Sequence, residues 1–346
     1  MTELRFSGRV ALVTGGGRGM GRAHALALAE RGASVVVADA GVDLFGSGSD
    51  PGPAGEVVDA VRAAGGEAVA YGADLSTEAG ARGAVRASVA AFGRLDVVVH
   101  NAGFTLGGRP FEDESVDRLD RLLAVNTRAA YALVQEAWPH MQRQQHGRVV
   151  LASSTAVYGM ATSVPYATAK ASYVGLVRSL AAAGRPDGIT VNAVAPSAAT
   201  RMSENLAPSP FRDWFLRTMR PEQVSPVVVA LVHDDCPVSG ELFVVGGGRV
   251  ARTVLGETAG YVNPDLAPED VRDHLDRIVA DEDLSFPADT AASLRLTAAA
   301  LGDDLDALEG AGGLAASPTP AAAAAAAPID PDPISIGPIS TGPRSM

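Results

Sequence analysis

The sequence predicts an α/β domain built on a doubly wound parallel sheet, followed by a C-terminal extension, and three observations carry that expectation. Short runs that are apolar throughout recur between segments of helical spacing. Strands without a polar face must be covered on both sides, the condition met by a parallel sheet joined by helical crossovers. A glycine-rich turn, residues 14–21 (TGGGRGMG), separates the first apolar run from the first helical segment, and an acidic residue, Asp39, closes the second run.

Residues 9–14 (RVALVT) read as the first strand, 21–30 as a helix and 34–38 (SVVVA) as the second strand, because β-formers without alternation suit a buried strand. The alternation continues with a helix over 55–64, a strand over 68–71, a helix over 77–92, a strand over 95–100, one long helix over 117–143 and a strand over 147–153. A helix over 166–183, a strand over 190–194, a helix near 221–233 and a last strand over 242–245 complete one domain, residues 1–250. Residues 251–310 form a partly helical extension, with helical stretches at 271–280 and 291–300. Residues 311–346, which include seven consecutive alanines and frequent prolines, are expected to be a disordered tail.

Composition excludes several classes. With 346 residues, 47% hydrophobic and 20% charged, the chain has the balance of a soluble globular protein, and no stretch nears the roughly 20 apolar residues of a membrane span. The N-terminus lacks the basic, apolar and small-residue succession of a secretory signal, so a cytoplasmic setting is expected. A single cysteine, Cys236, rules out an intramolecular disulfide or a thiolate metal cluster, and no metal is expected. Residues 1–250 carry 23 basic and 24 acidic side chains and residues 251–346 carry 5 and 16, so the net charge of −12 lies almost wholly in the C-terminal part. Such a balance argues against nucleic acid as a partner. Of 28 basic residues 27 are arginine, and the single lysine, Lys170, calls for a chemical reason.

The candidate chemistry gathers on the carboxyl edge of the expected sheet, where ligands of such folds bind. Gly15, Gly19 and Gly21, with Arg18 and Met20 between them, would let the backbone approach a pyrophosphate at a helix N-terminus. Asp39 can accept both hydroxyls of an adenosine ribose and would repel a 2′-phosphate, so NAD is expected and NADP is the less favoured alternative, although Arg18 could pair with that phosphate. Asp74 and Leu75 follow the third strand, and Asn101, Ala102 and Gly103 follow the fourth. Ser154 closes the strand 147–153, and Tyr166 and Lys170 share one helical face four residues apart, which brings an ammonium near a phenol and would turn it into a usable acid/base.

Taken in order, TGGGRGMG, NAG, Asn126, Ser154 and YATAK resemble the short-chain dehydrogenase/reductase family over residues 5 to 250. The resemblance implies a Rossmann-type fold and an NAD-dependent enzyme acting on a secondary alcohol or ketone. It makes Tyr166 the general acid/base, gives Lys170 the tuning of that phenol and the nicotinamide ribose, has Ser154 orient the substrate oxygen and Asn126 anchor a relay water, and adds Pro196 to the cofactor contacts. Within the family, the insertion of residues 39–48 (DAGVDLFGSG) and the strand at 240–248 (GELFVVGGG) are most similar to the (3R)-hydroxyacyl-CoA dehydrogenase domain of peroxisomal-type multifunctional β-oxidation enzymes and their bacterial single-domain relatives. The spacing from Ser154 to Tyr166 is one residue shorter than usual, so strand alignment selects Ser154 and counting back from the tyrosine selects Ser153. Ser154 is preferred because strand ends are less elastic than loops. Pro196-Ser197 stands where the family has Pro-Gly.

A 3-hydroxyacyl thioester is the expected substrate. The alternatives are a ketoreductase or alcohol dehydrogenase of secondary metabolism, acting on a polyketide, steroid or terpenoid, and, from a different class, a non-catalytic NAD sensor. The resemblance of the helices over 117–143 and 166–183 to the family's dimer-forming pair points to a homodimer or homotetramer. Residues 198–221 are expected to form a lid whose apolar side chains, among them Leu206, Phe211, Trp214 and Phe215, meet the substrate.

Overall fold

The computed structural model describes residues 3–43, 46–204 and 207–305, with residues 202 and 204 described for their backbone alone. The expected disordered tail and Leu206 of the lid lie outside the described residues. In chain order the first elements are β1 (Val10–Thr14), α1 (Gly19–Ala29), β2 (Ser34–Ala38), α2 (Gly52–Ala63), β3 (Ala68–Tyr71), α3 (Glu78–Phe92) and β4 (Val97–His100). Then come α4 (Val116–Leu123), α5 (Ala129–Gln144), β5 (Gly147–Ala152), α6 (Val164–Gly184), β6 (Ile189–Pro196), α7 (Arg201–Glu204), α8 (Pro210–Thr218), α9 (Ser225–Leu231), β7 (Leu242–Gly246) and β8 (Arg249–Thr253). Past them lie α10 (Pro268–Asp273), α11 (Leu275–Val279) and α12 (Thr290–Leu301).

The strands form one sheet in the order β3-β2-β1-β4-β5-β6-β7-β8. Successive residues of each strand feed opposite faces. Leu12, Val36, Val98, Leu151 and Val191 enter one core with Val85, Leu133 and Val177 from α3, α5 and α6. Val13, Val37, Val99, Val150 and Val194 enter the other with Leu28, Val57 and Val228 from α1, α2 and α9. Full burial of each such side chain is worth roughly 1.5–3 kcal/mol, and burial on both faces is why these strands read as unbroken apolar runs. Because β1 lies between β2 and β4, the chain leaves the carboxyl ends of β1 and β4 in opposite directions and opens a crevice there.

Four features differ from the sequence expectation. The sheet is not wholly parallel: β8 returns antiparallel to β7, pairing Gly246 with Arg249 through the two-residue turn Gly247-Gly248. Both turn glycines have positive φ, 57° and 81°, the backbone a tight hairpin needs. The helix expected over 117–143 is broken by a π-helical segment, Ala124–Arg128, between α4 and α5. The helix expected near 221–233 is a 3₁₀ turn, Pro221–Gln223, followed by the shorter α9. The lid contains two helices to which the sequence reading assigned no range, α7 and α8, the second capped by Ser209, whose hydroxyl accepts from Arg212 N at 3.1 Å.

By its internal contacts the chain divides into two units. One holds Met1–Ala259 and Val279–Asp289, so the boundary drawn at residue 250 falls inside β8; within this unit Glu257 and Ser285 form a β-bridge. The other, among the described residues, holds 260–278 and 290–305; in it Tyr261 stacks on His274 at 4.0 Å, and Asp270 Oδ2 accepts from Ala267 N and Asn263 Nδ2.

Candidate active site

The crevice is held at its base by a bond between strand ends. The Thr14 side chain on β1 and His100 Nδ1 on β4 lie 2.9 Å apart, and Thr14 Oγ1 also accepts from Asn101 N and Ala102 N at 3.2 and 3.1 Å. With His100 Nε2 donating to Val125 O at 3.2 Å, the Thr14 hydroxyl donates to Nδ1. Burial, aided by the charge of Lys170, holds His100 down to about 3, so this ring is neutral and structural.

Above it the glycine-rich turn approaches the backbone after β4. Gly15 has φ 61°, and a Cβ there would stand 2.9 Å from Ala102 Cα; a Cβ on Gly21 would strike Gly15 O. α1 begins without a side-chain cap, which leaves its first N–H groups directed at the crevice. Asp39 is half-buried and accepts through both oxygens, from Gly17 N and Gly41 N at 2.8 Å each. Asp74 accepts from Ser76 N and Ser76 Oγ, also at 2.8 Å.

These residues bound a cleft of about 310 Å³. Its lining includes Gly15, Arg18, Gly19 and Met20 of the turn, Asp39 after β2, Asp74 and Leu75 after β3, and Asn101, Ala102 and Gly103 after β4. Gly21 packs behind the turn, and Pro196, paired with Val245 at the end of β6, stands outside the lining. The sequence reading missed other lining residues: Val42, Asp43 and Gly46 of the insertion, Phe104, Arg121, and Thr200 and Arg201 at the start of the lid. Only the insertion, as a departure from a minimal strand-to-helix connection, carried a signal that could have found them.

A second cluster gathers around Gly103. A Cβ on this glycine would lie 2.5 Å from Asn126 Oδ1 and 3.1 Å from Lys170 Nζ, so one residue of the cleft lining also bears on both. Asn126 sits in the π-helical segment, donates through Nδ2 to Leu122 O and Phe104 O at 3.0 and 3.2 Å, and keeps a buried Oδ1 without a hydrogen-bond partner. Lys170 is 4% exposed and donates to Ala152 O at 2.7 Å; burial lowers its ammonium to about 7.

Nζ stands 6.0 Å from the Tyr166 ring centroid. The Tyr166 phenol is pushed up by burial, an effect opposed by the neighbouring Ser154 side chain. Ser153 Oγ is turned away and donates to Lys170 O at 2.8 Å.

A doubly wound sheet with a glycine-lined cleft at its switch point and a Ser–Tyr–Lys cluster beside it defines a dinucleotide-dependent oxidoreductase. The short chain dehydrogenase family model matches residues 9–209, and the chain belongs to that family, whose members use NAD(P). It is 40% identical over 292 residues to peroxisomal multifunctional enzyme type 2 of Mus musculus, covering 83% of this chain and 38% of the mouse protein. It is 41% identical over 248 residues to a putative short-chain type dehydrogenase/reductase of Mycobacterium tuberculosis, covering 71% of this chain and 85% of that one. Among solved structures it resembles a 7α-hydroxysteroid dehydrogenase complexed with NADH and 7-oxo glycochenodeoxycholic acid, with TM-score 0.64, 28% identity, and coverage of 72% of this chain and 98% of the other. Among the described residues no helix is long and apolar enough to cross a membrane.

Proposed function

We propose that this oxidoreductase uses NAD in preference to NADP to interconvert a secondary alcohol and a ketone, with a 3-hydroxyacyl thioester as substrate. The observation that carries the reading is the convergence of Asn126 Oδ1 and the buried Lys170 Nζ on Gly103 of the cleft lining, with the Tyr166 ring centroid 6.0 Å from that ammonium. The residues fit the cofactor: glycines without room for side chains offer a close approach for a pyrophosphate, the uncapped α1 N-terminus offers donors, and Asp39 offers acceptors for ribose hydroxyls. When bound, NAD supplies the hydride acceptor or donor.

The chain's own groups supply the rest. Tyr166 moves a proton between its phenolic oxygen and the substrate oxygen, which Ser154 holds by a hydrogen bond. Lys170 holds the nicotinamide ribose and biases the phenol toward its ionised form as the site is filled. The free Oδ1 of Asn126 is an acceptor suited to a relay water. A role for Pro196 in cofactor binding, a homodimeric or homotetrameric assembly and a cytoplasmic location belong to the same reading and rest on the sequence resemblance and composition.

The likeness to the mouse multifunctional enzyme supports the thioester. So does the lid, where Phe211, 58% exposed, lies 5.9 Å ring to ring from both Trp214 and Phe215, an apolar surface ready to receive an acyl chain. The likeness to the hydroxysteroid dehydrogenase favours a second reading, a ring ketone on the same surface. Comparing kcat/KM for 3-hydroxyacyl-coenzyme A, the same acyl group on a short thiol, and steroid and polyketide ketones decides between them. The first reading expects the thioesters to lead; faster turnover of a ring ketone replaces it with the second.

A further inference from the structure

The preference for NAD has a second structural component beyond Asp39, and the inference below rests on that proposed preference. Gly17 N binds Asp39 Oδ2, so the next residue, Arg18, places a cation beside the carboxylate that would face the ribose. Left to itself, a guanidinium there would attract a 2′-phosphate as strongly as Asp39 repels it. The guanidinium is engaged, however: Arg18 Nη2 donates to Asp50 Oδ2 at 3.2 Å.

Asp50 is held in place by the closure of the insertion. Asp50 N donates to Ala40 O at 3.0 Å, Asp50 Oδ1 accepts from Gly52 N at 2.9 Å, and Gly41, with φ 67°, packs so closely on Asp50 O that a side chain at 41 would collide with it. The loop therefore folds back behind Asp39 and delivers one more carboxylate to the turn.

We propose that Asp50 is a specificity-determining residue that withholds Arg18 from the 2′-phosphate of NADP. The charges agree: Arg18 with Asp39 and Asp50 sums to one net negative charge over these three side chains, and neutralising Asp50 would free Arg18 to meet a 2′-phosphate. The pair is partly exposed, with 38% and 53% of the two side chains accessible, so its effect on binding is modest and sensitive to salt.

The test measures dissociation constants of NAD, NADP, 5′-AMP and 2′,5′-ADP for the wild type, Asp50→Asn, Arg18→Ala and the double variant. Asparagine keeps the Oδ1 acceptor for Gly52 N and so preserves the turn. The expected result is that Asp50→Asn tightens NADP and 2′,5′-ADP by about threefold to tenfold relative to NAD and 5′-AMP, that the gain shrinks at high salt, and that it disappears in the double variant. An unchanged NADP-to-NAD ratio in Asp50→Asn, in a wild type that prefers NAD, overturns the inference alone. A gain that survives removal of Arg18 also overturns it, because simple repulsion by Asp50 then suffices. A wild type that binds NADP more tightly than NAD removes the proposed preference itself, and the inference with it.

Discussion

Ser153 gives its hydroxyl to the Lys170 carbonyl at 2.8 Å, whereas the adjacent Ser154 is the side chain that opposes the upward push of burial on the Tyr166 phenol. Consecutive residues leaving a strand point to opposite sides, so only one of the two serines can face the phenol.

Tyr166→Phe is expected to lower kcat by about a hundredfold to ten-thousandfold while NAD affinity changes little, since the proton is carried by the phenol and the dinucleotide is held elsewhere. Ser154→Ala removes the influence that opposes burial, so the phenol rises further and, in alcohol oxidation, where the ionised phenol takes the proton, the rise of kcat/KM with pH moves to higher pH. Single-turnover kinetics with a cofactor titration would read both; Tyr166→Phe activity within tenfold of wild type would exclude the phenol as acid/base.

Lys170→Arg keeps the charge but puts a larger planar group where Nζ donates to Ala152 O inside the core. Overpacking of about 1–3 kcal/mol and a loss of activity of at least about tenfold are expected. An ionisation near neutrality should also vanish from the pH profile, because burial brings the lysine to about 7 and an arginine does not titrate there.

Gly103→Ala tests the link between the cleft and the catalytic cluster. The new methyl would press on Asn126 Oδ1 and Lys170 Nζ, so kcat should fall by at least about tenfold, more than NAD affinity does. Equal losses in both would mean that the glycine serves the nucleotide cleft alone.

Acid should destabilise the fold before carboxylates are protonated. His24, bonded to Ser225 between α1 and α9, is lowered by burial to about 4, and His100 to about 3. Both folded values lie below the unfolded value of about 6.5, so below that pH the unfolded chain binds more protons. Their contribution is complete above pH ~6.5 and is lost progressively as pH falls from there toward the folded values, about 2 kcal/mol per group by pH ~5. Urea unfolding of wild type and His24→Asn at pH ~7.5 and ~5 would show it: the variant should lose about 2 kcal/mol less. Parallel losses in the two proteins would count against the assignment.

Much of the molecule is legible in the linear order of residues because its determinants are local. Apolar runs such as SVVVA become β2, YATAK places Tyr166 and Lys170 on one face of α6, and TGGGRGMG turns where only glycines fit against Ala102 and Gly15. The hairpin at Gly247-Gly248 was also written there, since two adjacent glycines between β-formers are a turn signal, but β8 at a sheet edge has too little apolar character to announce itself. The π-helical segment at Asn126 left no mark on the helical spacing around it.

What folding adds is the meeting of segments far apart in the chain, which periodicity cannot encode. Gly103 and Asn126, 23 residues apart in the β4–β5 connection, converge with Lys170 of α6 within van der Waals reach; Thr14 finds His100 only because β1 and β4 are neighbours at the switch in strand order. The choice of Ser154 over Ser153 depends on the packing of α6 across the end of β5, and the hold of Asp50 on Arg18 on the closure of a loop. Local pattern specifies which groups are present and on which edge they emerge. Their hydrogen bonds and ionisation states follow from desolvation and from contacts that exist only once the sheet has assembled.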